Sequence, residues 1–190
     1  IVSHNAKMKK KIDYLKNFGF ADEVSIIAPG INSKMNEMQA ALGLLQLGYH
    51  QSNVAKRKRV AETYQDLLKD IKGISLLPIC ADLQDYNYSY FPIFINEKEY
   101  GQSRDELYAH LKKNNVYSRR YFYPLISELA MYKGIPSARY KNLMVAERMA
   151  KQVLCLPIYP GLTKRTVMTI CRFIRDSKAL VVVKKNEKRI

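Results

Sequence analysis

The sequence predicts an α/β protein in which helices cover one face of a small sheet. Stretches with apolar residues at helical spacing alternate with shorter stretches rich in β-branched and aromatic residues. This alternation is typical of layered α/β folds. With 47% hydrophobic and 26% charged residues among 190, the composition is that of a globular protein rather than a disordered one. The sequence contains no apolar run as long as a membrane span.

Two helices are predicted in the first part of the chain. The first covers Asn5 to Phe18, and Gly19 is its expected stop. The second follows the breaker Gly30, with Ser33 as its expected cap, and runs to Gly73. Its apolar residues form one stripe before a polar middle and another after it: Met35, Met38, Leu42, Leu45 and Tyr49, then Val60, Tyr64, Leu67, Leu68 and Ile71.

Three strands are predicted in the rest of the chain, at Tyr88 to Ile95, at Val116 to Tyr123 and at Val153 to Leu156. Pro92 lies inside the first of them and has no backbone N–H, which predicts an edge strand or a bulge.

Three more helices separate and follow these strands. Ser103 to Glu106 forms a capping box that opens a helix ending at Asn114-Asn115. Lys141 to Lys151 is a short helix, and Thr163 caps a last one. Four apolar residues of the last helix are expected to point inward: Val167, Ile170, Phe173 and Ile174.

The formal net charge of +15 comes from 32 Lys and Arg against 17 Asp and Glu. Many of the basic residues lie in three separate clusters, at residues 7–11, 56–59 and 184–189, without interleaved aromatics. This scatter is typical of solvated helix faces. It does not favour nucleic acid as a partner, although a basic nucleic-acid-binding module stays an alternative. Excess positive charge would also attract phosphorylated substrates.

The cysteines indicate neither a disulfide framework nor a metal site. Cys80, Cys155 and Cys171 are widely spaced and lie among apolar neighbours, so we expect small buried hydrophobes with reduced thiols, as in a cytoplasmic protein.

The most informative stretch is Gly30 to Leu47. A glycine turn brings Asn32 and Lys34 to the start of a helix, where the helix dipole favours phosphate or carboxylate groups. The stretch resembles the G-x-N-x-[RK]-M-x-E-x-Q-A-A-x-G-L-x-Q-L signature of the DegT/DnrJ/EryC1/StrS family of pyridoxal-phosphate (PLP)-dependent sugar aminotransferases. Four other landmarks of this family have similar stretches in the same order: residues 1–5, 15–19, 120–125 and 154–163.

This resemblance implies the type I aminotransferase fold. Residues 1–31 would be the tail of the large cofactor domain, with residues 1–3 ending a strand. Residues 32–190 would be the small C-terminal α/β domain, including the long linking helix. The full-length protein would be a homodimer with active sites at the subunit boundary. It would be similar to the family members that aminate nucleotide-linked keto-6-deoxyhexoses for polysaccharide biosynthesis, with an amino acid, expected to be glutamate, as donor.

The resemblance places no catalytic residue and no metal ligand in this chain, because the Schiff-base lysine lies upstream of Ile1. The chain alone is therefore expected to bind no PLP and to be inactive. Asn32 would reach the cofactor phosphate across the dimer, and Lys34 would lie near substrate. Tyr121 and Tyr123 would line the sugar pocket, and Arg120 could meet the diphosphate.

Simpler roles stay open for these residues. Asn32 could cap the long helix while Lys34 points to solvent. At least one of the two tyrosines could pack in the core, and Arg120 could be a surface residue. Many relatives have His after the Pro-Leu pair, whereas this chain has Ile126, so that imidazole contact with substrate is missing. A non-catalytic member of the family is a further alternative.

Overall fold

A computed structural model describes residues 1–78 and 86–187, with side chains described as far as residue 178. The chain divides into two compact units, Ile1–His50 and Gln51–Ile190. Cys80 and the basic side chains at 184–189 lie outside the described residues and side chains.

The first unit contains helix α1, Ala6–Leu15, and the first part of helix α2, Glu37–Leu68. The Asn5 side chain caps α1 by accepting a hydrogen bond from the Met8 N–H. The expected strand end at residues 1–3 is not formed.

The cap of α2 differs from the prediction. Asn36, not Ser33, holds the first turn: its Oδ1 accepts from the Gln39 N–H at 2.9 Å, and Gln39 Oε1 accepts from the Asn36 N–H at 3.4 Å. Residues 33–35 therefore precede the helix outside regular secondary structure, because the reciprocal pair at Asn36 and Gln39 satisfies two otherwise unpaired N–H groups.

The second unit is built on a three-stranded antiparallel sheet in the order β1-β2-β3. The strands are β1, Ile74–Leu76, β2, Phe91–Ile95, and β3, Val153–Leu156. Ile74 pairs with Ile95, and Phe91 pairs with Leu156. The strands predicted at 88–95 and 153–156 are thus confirmed with small changes of boundary. The short strand β1 was not predicted.

The strand predicted at residues 116–123 is wrong. Only Arg119 pairs with the sheet, through reciprocal backbone hydrogen bonds to Cys155 of 2.9 and 2.7 Å. The segment has the composition of a strand, but it touches β3 at one residue and then turns away, leaving Arg120 to Tyr123 in irregular backbone.

Pro92 lies in the central strand, contrary to the expected edge position or bulge. It pairs with Cys155, whose backbone N–H and C=O both bond to Arg119 and so point away from β2. Pro92 N must then point to the β1 side, where the last paired residue is Leu76, opposite Ile93. No ladder hydrogen bond is lost, because Pro92 lies beyond the end of the neighbouring strand.

The helices of the second unit are α3, Glu97–Tyr100, α4, Arg104–Lys113, α5, Tyr140–Gln152, and α6, Lys164–Glu187. The Ser103–Glu106 capping box and the Asn114 cap of α4 are confirmed. Thr163 Oγ1 accepts from the Thr166 N–H at 3.2 Å, as expected for the cap of α6. None of the described helices has the length and apolar character needed to cross a bilayer.

The core of the second unit confirms the second apolar stripe of α2 and the inward face of α6. Tyr64 is fully buried, stacks on Phe91 with ring centroids 4.9 Å apart and donates to the Pro157 carbonyl at 3.1 Å. Val167, Ile170 and Ile174 are buried beside it, with Phe173 partly buried. The first stripe of α2, from Met35 to Tyr49, is instead exposed.

Candidate functional site

In the first unit, the candidate anion-binding segment is held by backbone hydrogen bonds to the end of α1. The Ile31 N–H donates to the Leu15 carbonyl at 2.9 Å, the Phe18 N–H to the Ile31 carbonyl at 3.2 Å, and the Ser33 N–H to the Lys16 carbonyl at 2.9 Å. Asn32 lies between these bonds, opposite Asn17. Its backbone position is therefore fixed although its side chain is exposed.

Two glycines allow this pairing. A Cβ on Gly30 would lie 2.4 Å from Gly19 N and 2.6 Å from the Leu15 carbonyl oxygen. Gly19 has a φ of +86° and would place a Cβ 1.7 Å from the Ala28 oxygen. Both positions require glycine because backbone approaches backbone within van der Waals distance.

The Lys34 side chain lies against the turn after α1. Its ammonium donates to Asn17 Oδ1 at 2.9 Å and lies 4.8 Å from the centroid of the Phe18 ring. Asn32 does not cap α2, since Asn36 does. Among the described residues, no hydrogen bond involves the Asn32 side chain, so its amide presents a donor and an acceptor to any ligand.

In the second unit, two other predicted residues, Arg120 and Tyr123, contact side chains of α4. Arg120 Nη1 donates to Asp105 Oδ1 at 2.9 Å. The Arg120 guanidinium lies 4.7 Å from the centroid of the Tyr108 ring and 5.7 Å from that of Tyr123. Tyr123 also faces Arg104 at 4.9 Å. The Tyr123 ring thus lies close to two cations, and the electron-rich face of the ring attracts each of them.

Tyr121 belongs to a partly exposed aromatic cluster. Its ring stacks on Phe122 with centroids 4.9 Å apart, and Tyr90 meets both edge-on at 5.6 and 6.1 Å. Tyr121 and Tyr123 are 37% and 45% exposed. Neither tyrosine is therefore packed into the core, which was the simpler alternative.

Two residues of the predicted capping box, Arg104 and Asp105, are central to the contacts of Arg120 and Tyr123. Arg104 is 3% exposed, and its Nη1 donates to the carbonyls of Ala150 and Val153 at 2.9 and 3.0 Å. Asp105 Oδ1 also lies 2.9 Å from Arg104 Nε, an ion pair whose Nε–H is not aligned as a hydrogen bond. The sequence around them indicates only the capping box and gives no signal for these distant contacts.

Partial burial of Asp105 acts to raise the pKa of its carboxyl, but the hydrogen bond from Arg120 and the charge of Arg104 outweigh this effect. The pKa is therefore lowered, and the carboxylate stays ionised between the two guanidinium groups.

The structure brings Arg120 and Tyr123 into direct contact, with Tyr121 beside them, in the second unit. Asn32 and Lys34 lie apart from them, in the first unit.

Within the described part of the chain, no three His, Cys, Asp or Glu side chains converge as metal ligands. Cys155 and Cys171 are buried free thiols, as predicted, and burial raises the pKa of Cys171 to about 12.

Part of each of the first two basic clusters is paired. On α1, Lys9 of the first cluster pairs with Asp13, as does the neighbouring Lys16. On α2, Arg57 donates to the Asn87 carbonyl at 2.9 and 2.7 Å, and Lys58 lies 4.0 Å from Glu62.

Comparison with curated proteins finds similar sugar transaminases. The chain is 48% identical over 174 residues to a dTDP-4-amino-4,6-dideoxy-D-glucose transaminase of Escherichia coli, covering 92% of this chain and 46% of that protein. A Shigella dysenteriae protein of the same name is 40% identical over 178 residues, with coverages of 94% and 47%. The chain thus spans about half the length of the curated relatives it matches.

The fold is similar to that of a solved structure, DesV of S. venezuelae, with a TM-score of 0.81. The two chains are 27% identical, and the match covers 93% of this chain and 46% of DesV. The family model of the DegT/DnrJ/EryC1/StrS aminotransferases matches residues 1–175, which include both candidate segments. The chain belongs to the DegT/DnrJ/EryC1/StrS aminotransferase family.

Proposed function

We propose that the chain is the C-terminal portion of a PLP-dependent aminotransferase that moves an amino group from an amino acid to a nucleotide-linked keto-deoxysugar. Glutamate is the proposed donor. Residues 1–31 would end the large cofactor domain, and residues 32–190 would form the small domain with α2 as the link. The full-length protein would be a homodimer. Family membership and the names of the dTDP-sugar transaminases support the reaction class.

The observation that carries the proposal is the hydrogen bonding of Asn32. Its backbone is fixed by flanking hydrogen bonds, whereas its amide has no side-chain hydrogen bond among the described residues. A rigidly placed neutral donor fits a phosphate oxygen without adding charge. The segment therefore suits the PLP phosphate as one part of its binding site. Bound PLP would supply the electron sink for amino transfer.

Four side chains are proposed to bind substrate: Lys34, Arg120, Tyr121 and Tyr123. Asn17 and Phe18 hold the Lys34 ammonium in place, where it would attract a carboxylate or phosphate as a point charge. Arg120 would meet the diphosphate of the nucleotide, while Tyr121 and Tyr123 would offer apolar ring faces and hydroxyl groups to the sugar.

A subunit-complementation experiment tests the proposed role of Asn32. Asn32→Asp would place a negative charge beside the cofactor phosphate of the partner, and a variant of the upstream PLP lysine would lack its own reactive amine. Each full-length variant should be inactive alone. A mixed dimer would combine the intact lysine of one subunit with the intact Asn32 of the other, so equal mixing with subunit exchange should restore about a quarter of the wild-type activity.

The matched control is Asn36→Asp, which keeps a good cap for α2 and should leave activity unchanged. Failure of the mixture to recover activity, with exchange demonstrated, would contradict the cross-dimer role of Asn32. A full-length wild-type protein without transaminase activity on dTDP-linked keto-sugars would contradict the reaction. The chain of residues 1–190 alone is expected to be inactive, since the Schiff-base lysine is proposed to belong to the upstream part of the full-length protein.

A further inference from the structure

Arg104 links three parts of the second unit through one buried guanidinium. Its Nη1 donates to the carbonyl of Ala150 near the end of α5 and to that of Val153 at the start of β3. Its charged group also lies 4.9 Å from the centroid of the Tyr123 ring. A guanidinium that is 3% exposed and donates two hydrogen bonds from Nη1 has little freedom to move. The Tyr123 ring therefore rests on a fixed cation.

Asp105 connects this fixed cation to Arg120. One oxygen, Oδ1, lies 2.9 Å from Arg104 Nε and 2.9 Å from Arg120 Nη1. Arg120 would otherwise be a partly exposed side chain with many rotamers. The shared carboxylate holds its guanidinium over the Tyr108 and Tyr123 rings.

We infer that Arg104 and Asp105 are positioning residues, which act through Arg120 and Tyr123 to fix the substrate-contacting segment for a nucleotide-linked sugar. This inference rests on the proposed function. Neither residue is proposed to touch substrate. Tyr123 lies in irregular backbone, beyond the single residue, Arg119, that pairs with Cys155 of the sheet. Side-chain contacts to α4 must therefore do much to hold Tyr123 in place.

Asp105 is the better residue to test because its side chain is 58% exposed and not part of the core. In the full-length protein, Asp105→Asn keeps the size of the side chain but removes the charge shared by the two arginines. We expect the KM for a dTDP-linked keto-sugar to rise about fivefold, the order expected for an exposed charge network. The half-reaction with glutamate should stay within about twofold of wild type. Asp105→Glu keeps the charge and should recover most of the sugar KM.

A structural readout accompanies the kinetics. The full-length protein is labelled with 3-fluorotyrosine, and the ¹⁹F resonance of Tyr123 is assigned by its loss in Tyr123→Phe. Asp105→Asn should shift or broaden this resonance. The matched control, Asp66→Asn, removes an exposed carboxylate on α2 that pairs with Lys69 at 3.5 Å, and it should change neither the resonance nor the KM.

Each outcome decides the inference. A changed resonance together with a selective rise in the sugar KM supports it. An unchanged resonance overturns it, whatever the kinetics. A changed resonance with an unchanged sugar KM also overturns it, because the network would then be structural only. If wild type has no transaminase activity, the proposed function fails, and the inference of a substrate-positioning role fails with it. The resonance then still decides whether Asp105 positions Tyr123.

Discussion

Gly73 connects the turn after α2 to β1 with a φ of +87°. A Cβ at this position would lie 2.3 Å from Tyr100 N and 2.6 Å from Tyr100 Cα. Tyr100 cannot easily retreat, because its ring is buried and its hydroxyl donates to the Ile174 carbonyl at 2.6 Å. Glycine is therefore needed at position 73 for two reasons: the turn has a left-handed backbone, and α3 approaches the sheet closely.

Gly73→Ala is predicted to lower the free energy of unfolding by about 3 kcal/mol, since it adds backbone strain to a clash with fixed backbone atoms. Gly161→Ala is the control. Its φ is outside the left-handed range, and its Cβ would meet the Tyr159 ring at an ordinary 3.7 Å, so we expect a change within about 0.5 kcal/mol. Urea unfolding of both variants measures the difference, and equal stabilities would contradict the prediction.

Among the elements, the α4 capping box couples stability to pH. The backbone N–H of Ser103 donates to Glu106 Oε2 at 2.7 Å, and this hydrogen bond lowers the pKa of the Glu106 carboxyl below its usual 4.5. A carboxyl with a lowered pKa in the folded state stabilises the fold above its unfolded pKa. The contribution is lost as pH falls through the folded value, which here means below about pH 4.5.

Glu106→Gln is accordingly predicted to cost about 0.5 kcal/mol at pH 7, because a charge-assisted bond at a helix N-terminus becomes a neutral one. The difference from wild type should shrink as the pH is lowered from 5 to 3. Glu62→Gln, in the middle of α2, is the control and should show no such convergence at acid pH. Thermal unfolding across this pH range is the measurement, and a pH-independent difference for Glu106→Gln would refute the coupling.

At the level of elements, local signals in the sequence predicted most of what the structure contains. The capping box, the Thr163 cap and the inward face of α6 depend on neighbouring residues, so they could be read directly. The cap of α2 was missed although its pair, Asn36 and Gln39, is local. Two other errors arose where a distant partner decides. Pro92 is tolerated in a central strand only because β1 ends at Leu76, and residues 116–123 fail as a strand because only Arg119 meets β3.

The same limit applies to the candidate site. A signature of consecutive residues led to Asn32 and Lys34. The importance of Arg104 depends on carbonyls 46 and 49 positions away, at Ala150 and Val153, and that of Asp105 on Arg120, 15 positions away. Periodicity and capping rules contain no information on such contacts.

For the whole molecule, the contrast between the two stripes of α2 matters most. The stripe in the second unit is buried, with Tyr64 and Leu68 at 0% exposure. The stripe in the first unit leaves large side chains open to solvent, including Met38 at 81% and Leu45 at 63%. Contiguous exposed apolar surface on a helix favours association with another surface.

The chain of residues 1–190 produced alone is therefore predicted to self-associate and to enhance the fluorescence of a hydrophobic dye. Replacing Met38 and Leu45 by Gln should reduce both effects without changing the net charge. The control replaces Met144 and Met168, exposed residues of the second unit, by Gln and should leave both effects unchanged. Sedimentation velocity and dye titration are the measurements. A monomeric chain without dye binding, or an equal response of the two double variants, would show that this stripe does not govern the association of the molecule.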